Sequence, residues 1–231
     1  VCKYFSDYKN KIIIGHINHN IRDDSIIDEE FVKIIGKALK IKTYVRYLNP
    51  KNKLKKDNLE SWARHERYKH LNLILKETNS QWIITAHHAN DQAETFLANI
   101  ANKSGLFGLG GIKEINGNII RPLLPFSKID LSKIIKKNKI PSIFDKTNNN
   151  NHFNRNFIRN KVVKNWEKRN VNLISGINCS INFIKESQET MIFFINEFLN
   201  NYSKKTKNNT TVINKNHFNA LPVLAQITSL Q

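Results

Sequence analysis

The sequence predicts an α/β fold, a parallel sheet with helices on both faces, followed by a helical domain. Three observations predict it. Short β-branched runs alternate with helix-length amphipathic stretches through the first two thirds of the chain, and such alternation implies crossover units in a parallel sheet. Polar, histidine-bearing clusters stand where two of those runs end, as expected when ligands gather at the carboxyl ends of strands. Finally, residues 172–202 contain no proline and carry one apolar stripe at three- and four-residue steps, the mark of a single long amphipathic helix.

Taken in order, Lys11–Ile17 is a β-branched run bounded by polar residues and reads as a central strand buried on both faces. Ser25, with Asp28 three residues on, caps a helix whose face is Phe31, Ile34, Ile35, Ala38 and Leu39. Thr43–Tyr47 is the next strand. Asn58 opens a helix to about Lys76 with Leu59, Trp62, Leu71, Leu73 and Leu75 as its apolar side. Gln81–Ala86 is a short strand ending at His87-His88, and a helix from about Asp91 carries Ala93, Phe96, Leu97 and Ile100. After the glycine-rich turn Gly105–Gly111, Ile119–Leu124 reads as a last strand interrupted by Pro122, and Ser127 caps a basic helix to about Asn138. The long helix then begins a second domain, placing the division at residues 1–165 and 166–231, and a new helical pattern starts at Pro222-Val223-Leu224.

The chain has 231 residues, of which 40% are hydrophobic and 24% charged, enough to bury a core and to exclude wholesale disorder. No apolar run approaches the roughly 18 residues of a membrane span, and the start shows no basic segment with an apolar core behind it. Cys2 and Cys179 are the only cysteines, too few for a disulfide framework or a four-thiolate metal site, which suits a reducing, cytoplasmic setting. Lys+Arg 37 against Asp+Glu 19 leaves +18, a surplus that points to a polyanion such as nucleic acid. Runs such as Lys136–Lys139 and Asn148–Asn151 also fit AT-biased codons, which weakens that inference. The chain opens on Val1 without methionine, so it is expected to be a processed product or a piece of a longer reading frame.

Within His87-His88-Ala89-Asn90-Asp91-Gln92-Ala93-Glu94, adjacent histidines in an extended segment point to opposite faces, which disfavours a shared zinc ion. A strand end meeting a helix start favours an anion such as phosphate near His87, with Asp91 available to hold Mg²⁺. The plainer alternative is that Asp91 and Glu94 are ordinary acidic first-turn residues. His16 and Asn18 share one side of a strand with His19 at its exit, which equally suits a ligand site or satisfied structural histidines. The glycine-rich run lacks a following Lys-Ser/Thr and reads better as a loop than as a phosphate cradle. Arg155 and Arg159 stand four apart, a guanidinium fork for phosphate or a solvated basic face, and Arg121 is a further candidate.

In order and wording these blocks resemble the tRNA(Ile)-lysidine synthases, PP-loop N-type ATP pyrophosphatases. The matching stretches are His16–Arg22, then Asn58–Arg64 with Arg67-Tyr68, then Thr85–Thr95, then Gly105-Leu106 with Gly108-Leu109, then Ile120–Leu124, then Asp145–Asn148 followed by Arg155–Arg159. The resemblance implies an adenine nucleotide α-hydrolase-like fold. It also implies an enzyme that uses ATP and Mg²⁺ to adenylate the wobble cytidine of the CAU anticodon of tRNA(Ile), after which free L-lysine displaces AMP. Carried over by position, Asp91, His87, Arg121 and Arg159 are expected to be catalytic, with Asp91 at the metal or the lysine amine. His16, Asn18, His19 and Arg22 are expected to bind the nucleotide. Glu60, Arg64, Arg67, Tyr68 and Arg155 are expected to face the tRNA.

Three departures accompany the match. The family's pyrophosphate loop, Ser-Gly-Gly-x-Asp-Ser, has no counterpart in the chain, and truncation before Val1 is the expected cause. Asn90 stands where Asp is usual, and Asn20 where Gly is usual, although Asn tolerates a left-handed turn. Two rivals remain: a non-catalytic basic RNA-binding fragment, and a PP-loop relative acting on another substrate. The lack of Cys-x-x-Cys argues against thiolation. The sequence leaves a homodimer open.

Overall fold

The computed structural model describes residues 11–20, 25–54, 58–143, 154–206 and 210–230. Contacts cluster in two compact units, one formed by residues 1–86, 114–122 and 134–145, the other by 87–113, 123–133 and 146–231.

In the first unit, β1 (Ile14–Asn18) and β2 (Thr43–Tyr47) pair in parallel, with Ile14 opposite Thr43 and Asn18 opposite Tyr47. The crossover is α1 (Ser25–Leu39), and Gly36 is buried where an added Cβ would run into the Thr43 hydroxyl, so the helix can approach β2 only with glycine there. α2 (Leu59–Glu77) starts at Asn58, whose side-chain oxygen accepts from the backbone N–H of Glu60 at 2.9 Å and Ser61 at 3.3 Å. Ile17, Leu48, Ala63 and Ile74 form the core here, with Ile13, Tyr44, Trp62 and Leu71 against it. β3 (Ile83–Ile84) pairs in parallel with β5 (Ile119–Ile120), which pairs antiparallel with β4 (Ile115–Asn116).

Several elements differ from expectation. β1 starts at Ile14 and runs on to Asn18, and among the described residues it pairs with β2 alone instead of lying centrally. The last strand stops at Ile120, two residues before Pro122, which cannot donate to a ladder. Along α2 the inward residues include Ile74, whereas Leu73 is exposed.

The second unit comprises α3 (Ala89–Ala101), the short α4 (Leu106–Leu109), and α5 (Lys128–Lys137), of which residues 128–133 belong here. α6 (Asn154–Phe157) runs through a π-helical turn, Ile158–Val163, into α7 (Lys164–Glu167). α8 (Leu173–Tyr202) follows, then the antiparallel hairpin β6 (Ser203–Lys205) and β7 (Thr211–Ile213), α9 (Lys215–Asn219) and α10 (Val223–Ser229). Ala89 and Ala93 of α3, Ile158 and Val163 of the π turn, and Leu173, Ile174, Ile177 and Ile181 of α8 make one core. That core joins α3 to the long helix: the face of α3 is small and apolar, and α8 helps to bury it. No described helix is long and apolar enough to cross a membrane.

Candidate functional site

α3 begins one residue after His88, whose extended backbone (φ −132°, ψ 177°) turns the chain into the helix, two residues earlier than the sequence suggested. The His88 N–H donates to Asp91 Oδ2 at 2.9 Å, so the third helical residue closes the first turn. Every residue from Ala89 to Glu94 is buried, four of them polar, and buried polar groups need partners. The Asn90 side-chain oxygen accepts from the Lys128 N–H at 2.9 Å, and its amide donates to Glu167 at 3.3 Å. Gln92 clips both backbone groups of Ile112, at 2.6 and 2.9 Å. Gly111 beside it adopts φ +68°, and a Cβ there would collide with the Gln92 amide oxygen.

Asp91 and Glu94 face the two arginines. Arg155 donates through Nη2 to Asp91 Oδ1 at 2.9 Å and through Nε to Glu94 Oε2 at 3.1 Å. Arg159 donates through Nε to Glu94 Oε1 at 2.6 Å, and through Nη2 to Glu94 Oε2 at 2.9 Å and Asp91 Oδ1 at 3.3 Å. Two carboxylates spaced three apart on α3 meet two guanidiniums spaced four apart on the α6 and π-turn segment, giving a neutral network around a Glu94 that is 1% exposed. Removing one member of such a network strands a buried charge and costs about 3–5 kcal/mol. The sequence offered Glu94 only as an ordinary acidic first-turn residue, and its pairing with the arginines is set by tertiary approach. His87 lies half-buried just before this turn.

A second polar group lies in the first unit at the end of β1. His16 is half-buried, and its Nε2 has no hydrogen-bond partner among the described residues. Burial pushes its imidazole below the usual histidine value, more than Glu29 and Asp28 raise it. Asn18 is buried, its side-chain oxygen accepts from the Asn20 N–H at 2.9 Å, and Asn20 takes up the left-handed conformation at φ 50°. His19 is half-buried between them in sequence. The buried Glu29 of α1 accepts from Asn18 at 2.9 Å, Lys33 at 2.5 Å and Tyr47 at 2.7 Å. Those hydrogen bonds, Lys33 first, hold its carboxyl at about 2.

On α2, the Arg64 and Arg67 guanidiniums lie 5.1 and 5.8 Å from the Tyr68 ring, within reach of cation–π attraction, and Glu60 and Arg64 are exposed. Arg121 is buried just past β5, and its N–H donates to the Glu114 carbonyl at 2.9 Å. Arg22 and the Asp145–Asn148 block lie outside the described residues. The structure thus brings Asp91, Arg155 and Arg159 into one network, His16 and Asn18 onto one strand end, and Arg64, Arg67 and Tyr68 onto one helix face.

Among the described residues no group of three His, Cys, Asp or Glu side chains could hold a metal ion. Asp91 has Oδ1 shared by two guanidiniums and Oδ2 engaged by the His88 N–H. This donor set does not fit a resident divalent cation, which wants free oxygens at short range.

A family model described as a PP-loop domain matches residues 2–166. The tRNA(Ile)-lysidine synthase of Thermosipho africanus is 38% identical over 161 residues, covering 68% of this chain and 37% of the relative. That of Pseudothermotoga lettingae is 39% identical over 155 residues, 66% of this chain and 35% of the relative. That of Francisella tularensis is 31% identical over 201 residues, 84% of this chain and 50% of the relative. The chain therefore spans half or less of the length of these curated relatives. Among solved structures, the U34-tRNA thiolase NcsA of Methanococcus maripaludis, with its [4Fe-4S] cluster, superposes with a TM-score of 0.62 at 15% identity, covering 80% of this chain and 65% of that one. That likeness is one of fold.

Proposed function

The chain belongs to the PP-loop domain family, and from that premise we propose that it is the ATP-using body of a tRNA(Ile)-lysidine synthase. Its substrates in this reading are ATP, free L-lysine and the wobble cytidine of the CAU anticodon of tRNA(Ile), and it works in the cytoplasm. The similarity to three lysidine synthases carries the reading. The geometry supports it, because two blocks that match that family, Thr85–Thr95 and Arg155–Arg159, close on each other through four charged side chains.

The chemistry is group activation. The C2 oxygen of cytosine attacks the α-phosphorus of ATP and pyrophosphate leaves; the ε-amine of lysine then attacks C2, loses a proton, and AMP departs with the oxygen. Negative charge grows on the phosphoryl oxygens in the first step and positive charge on the nitrogen in the second, so fixed charges of both signs are needed. We assign Arg121 and Arg159 to the first, with His87 on the α-phosphate side, and Asp91 to the amine. His16, Asn18, His19 and Arg22 are assigned to the nucleotide, and Glu60, Arg64, Arg67, Tyr68 and Arg155 to the RNA, whose target base must leave its stack to react. Mg²⁺ in this account is cargo on the ATP phosphates, and no step is assigned to it.

The surplus of +18 favours one rival, a basic RNA-binding protein without turnover. One experiment separates them: the full-length protein and its Asp91→Ala variant are incubated with tRNA(Ile), ATP and labelled lysine. The proposal predicts ATP-dependent incorporation by the first and none by the second. Near-normal incorporation by Asp91→Ala removes Asp91 from the mechanism. Salt-sensitive tRNA binding by the wild type without ATP binding selects the rival.

A further inference from the structure

Glu29 is a buried carboxylate of the first unit with three side-chain donors, and no role has been assigned to it so far. It lies on the second turn of α1, 4% exposed. Its Oε2 accepts from the side-chain amide of Asn18 at 2.9 Å. Its Oε1 accepts from Tyr47 Oη at 2.7 Å and Lys33 Nζ at 2.5 Å. One carboxylate therefore joins the end of β1, the end of β2 and the body of α1.

The contact with Asn18 is the consequential one. With the amide nitrogen held by Glu29, and also 3.5 Å from the Ser25 carbonyl, the Asn18 oxygen is turned toward the Asn20 N–H. Asn20 sits at φ 50°, a left-handed conformation that Asn adopts more readily than most other non-glycine residues and that the contact from Asn18 supports. The side-chain amide cannot rotate without exchanging its donor for its acceptor, which would set the Asn18 oxygen against the Glu29 carboxylate. Glu29 thereby sets the orientation of Asn18 and the shape of the turn by which the chain leaves β1, on the carboxyl side of a parallel strand pair. Charge–dipole hydrogen bonds of this kind are among the stronger ones, and a buried carboxylate with three donors has little freedom to reorient.

We propose that Glu29 is a positioning residue for nucleotide binding, acting through the Asn18 amide to hold the turn after β1 in its binding form. The inference rests on the assignment of Asn18 to ATP made above, and adds to it a residue with no substrate contact of its own. Lys33 and Tyr47 complete the cluster from the outside and serve Glu29, not Asn18.

The test is a double-mutant cycle on ATP affinity in the full-length protein, by calorimetric titration with ATP. Glu29→Ala and Asn18→Ala each weaken binding about tenfold, and the double variant is no weaker than the poorer single one, because both remove the same link. Tyr47→Phe, which keeps the Glu29–Asn18 contact, stays within about twofold of the wild type. Because Glu29→Ala removes a buried partner of a lysine, Glu29→Gln runs beside it as the gentler change: with one oxygen left as acceptor it falls between wild type and Glu29→Ala. Additive losses in the cycle, or ATP affinity unchanged in both Glu29 variants, overturn the proposal. A wild type that binds no ATP overturns the nucleotide assignment itself, and this is read before any variant is made.

Discussion

Asn90 shows how a single atom decides a residue's identity. The family resemblance leads one to expect Asp at this position, but the Asn90 amide donates to Glu167 while its oxygen accepts from the Lys128 N–H. A carboxylate could keep the second contact and would face Glu167 with like charge at a site 7% exposed. Asn90→Asp is therefore expected to lower stability by about 1–3 kcal/mol at neutral pH, measured by urea denaturation, with the loss shrinking as pH falls and the new carboxyl takes a proton. An unchanged midpoint would show that the Glu167 contact contributes nothing. The same scale explains what motif reading missed: Arg155 and Arg159 were legible as a guanidinium fork, but the anions they hold are Asp91 and Glu94 of the protein itself. Which carboxylate a guanidinium meets depends on tertiary approach, and no spacing within either segment records it.

At the scale of elements, legibility followed local chemistry. Asn58 was readable as the opening of α2 because its side chain caps its own helix, and the stripe from Ile174 to Tyr202 gave α8 its full length. The β4–β5 hairpin also had a local signal, Gly117-Asn118 between two isoleucine-bearing pairs with Gly117 at φ 57°, although the sequence reading passed over it. The hairpin β6–β7 had no comparable signal, since Ser203-Lys204-Lys205 carries no strand pattern and pairs only through its partner. Three elements of the first unit meet at Glu29, and this has a pH consequence. Its carboxyl is held at about 2 against an ordinary value of 4.5, so the ionised form favours the folded state. The stabilisation is complete above about pH 4.5 and is lost as pH falls toward 2. Acid titration of the unfolding midpoint is expected to fall through that window in the wild type and to be flatter in Glu29→Gln; equal slopes would contradict the assignment of this coupling to Glu29.

For the whole molecule, each of the two compact units is drawn from several separate stretches of chain. The order of blocks was legible because each is short and local; their grouping into units was not, because α3 takes its core partner from α8, about eighty residues on. A charge of +18 is distributed over a chain that includes a neutralised four-residue network, so the surplus resides elsewhere, on faces such as that of Arg64 and Tyr68. Such a basic surplus suits a protein that holds a polyanion. The most direct measurement is nucleoside mass spectrometry of tRNA(Ile) after incubation with the full-length protein, ATP and lysine, beside a transcript whose wobble cytidine is replaced by uridine. The account predicts lysidine in the first and no modified nucleoside in the second. Modification of the uridine transcript, or of neither, would contradict it.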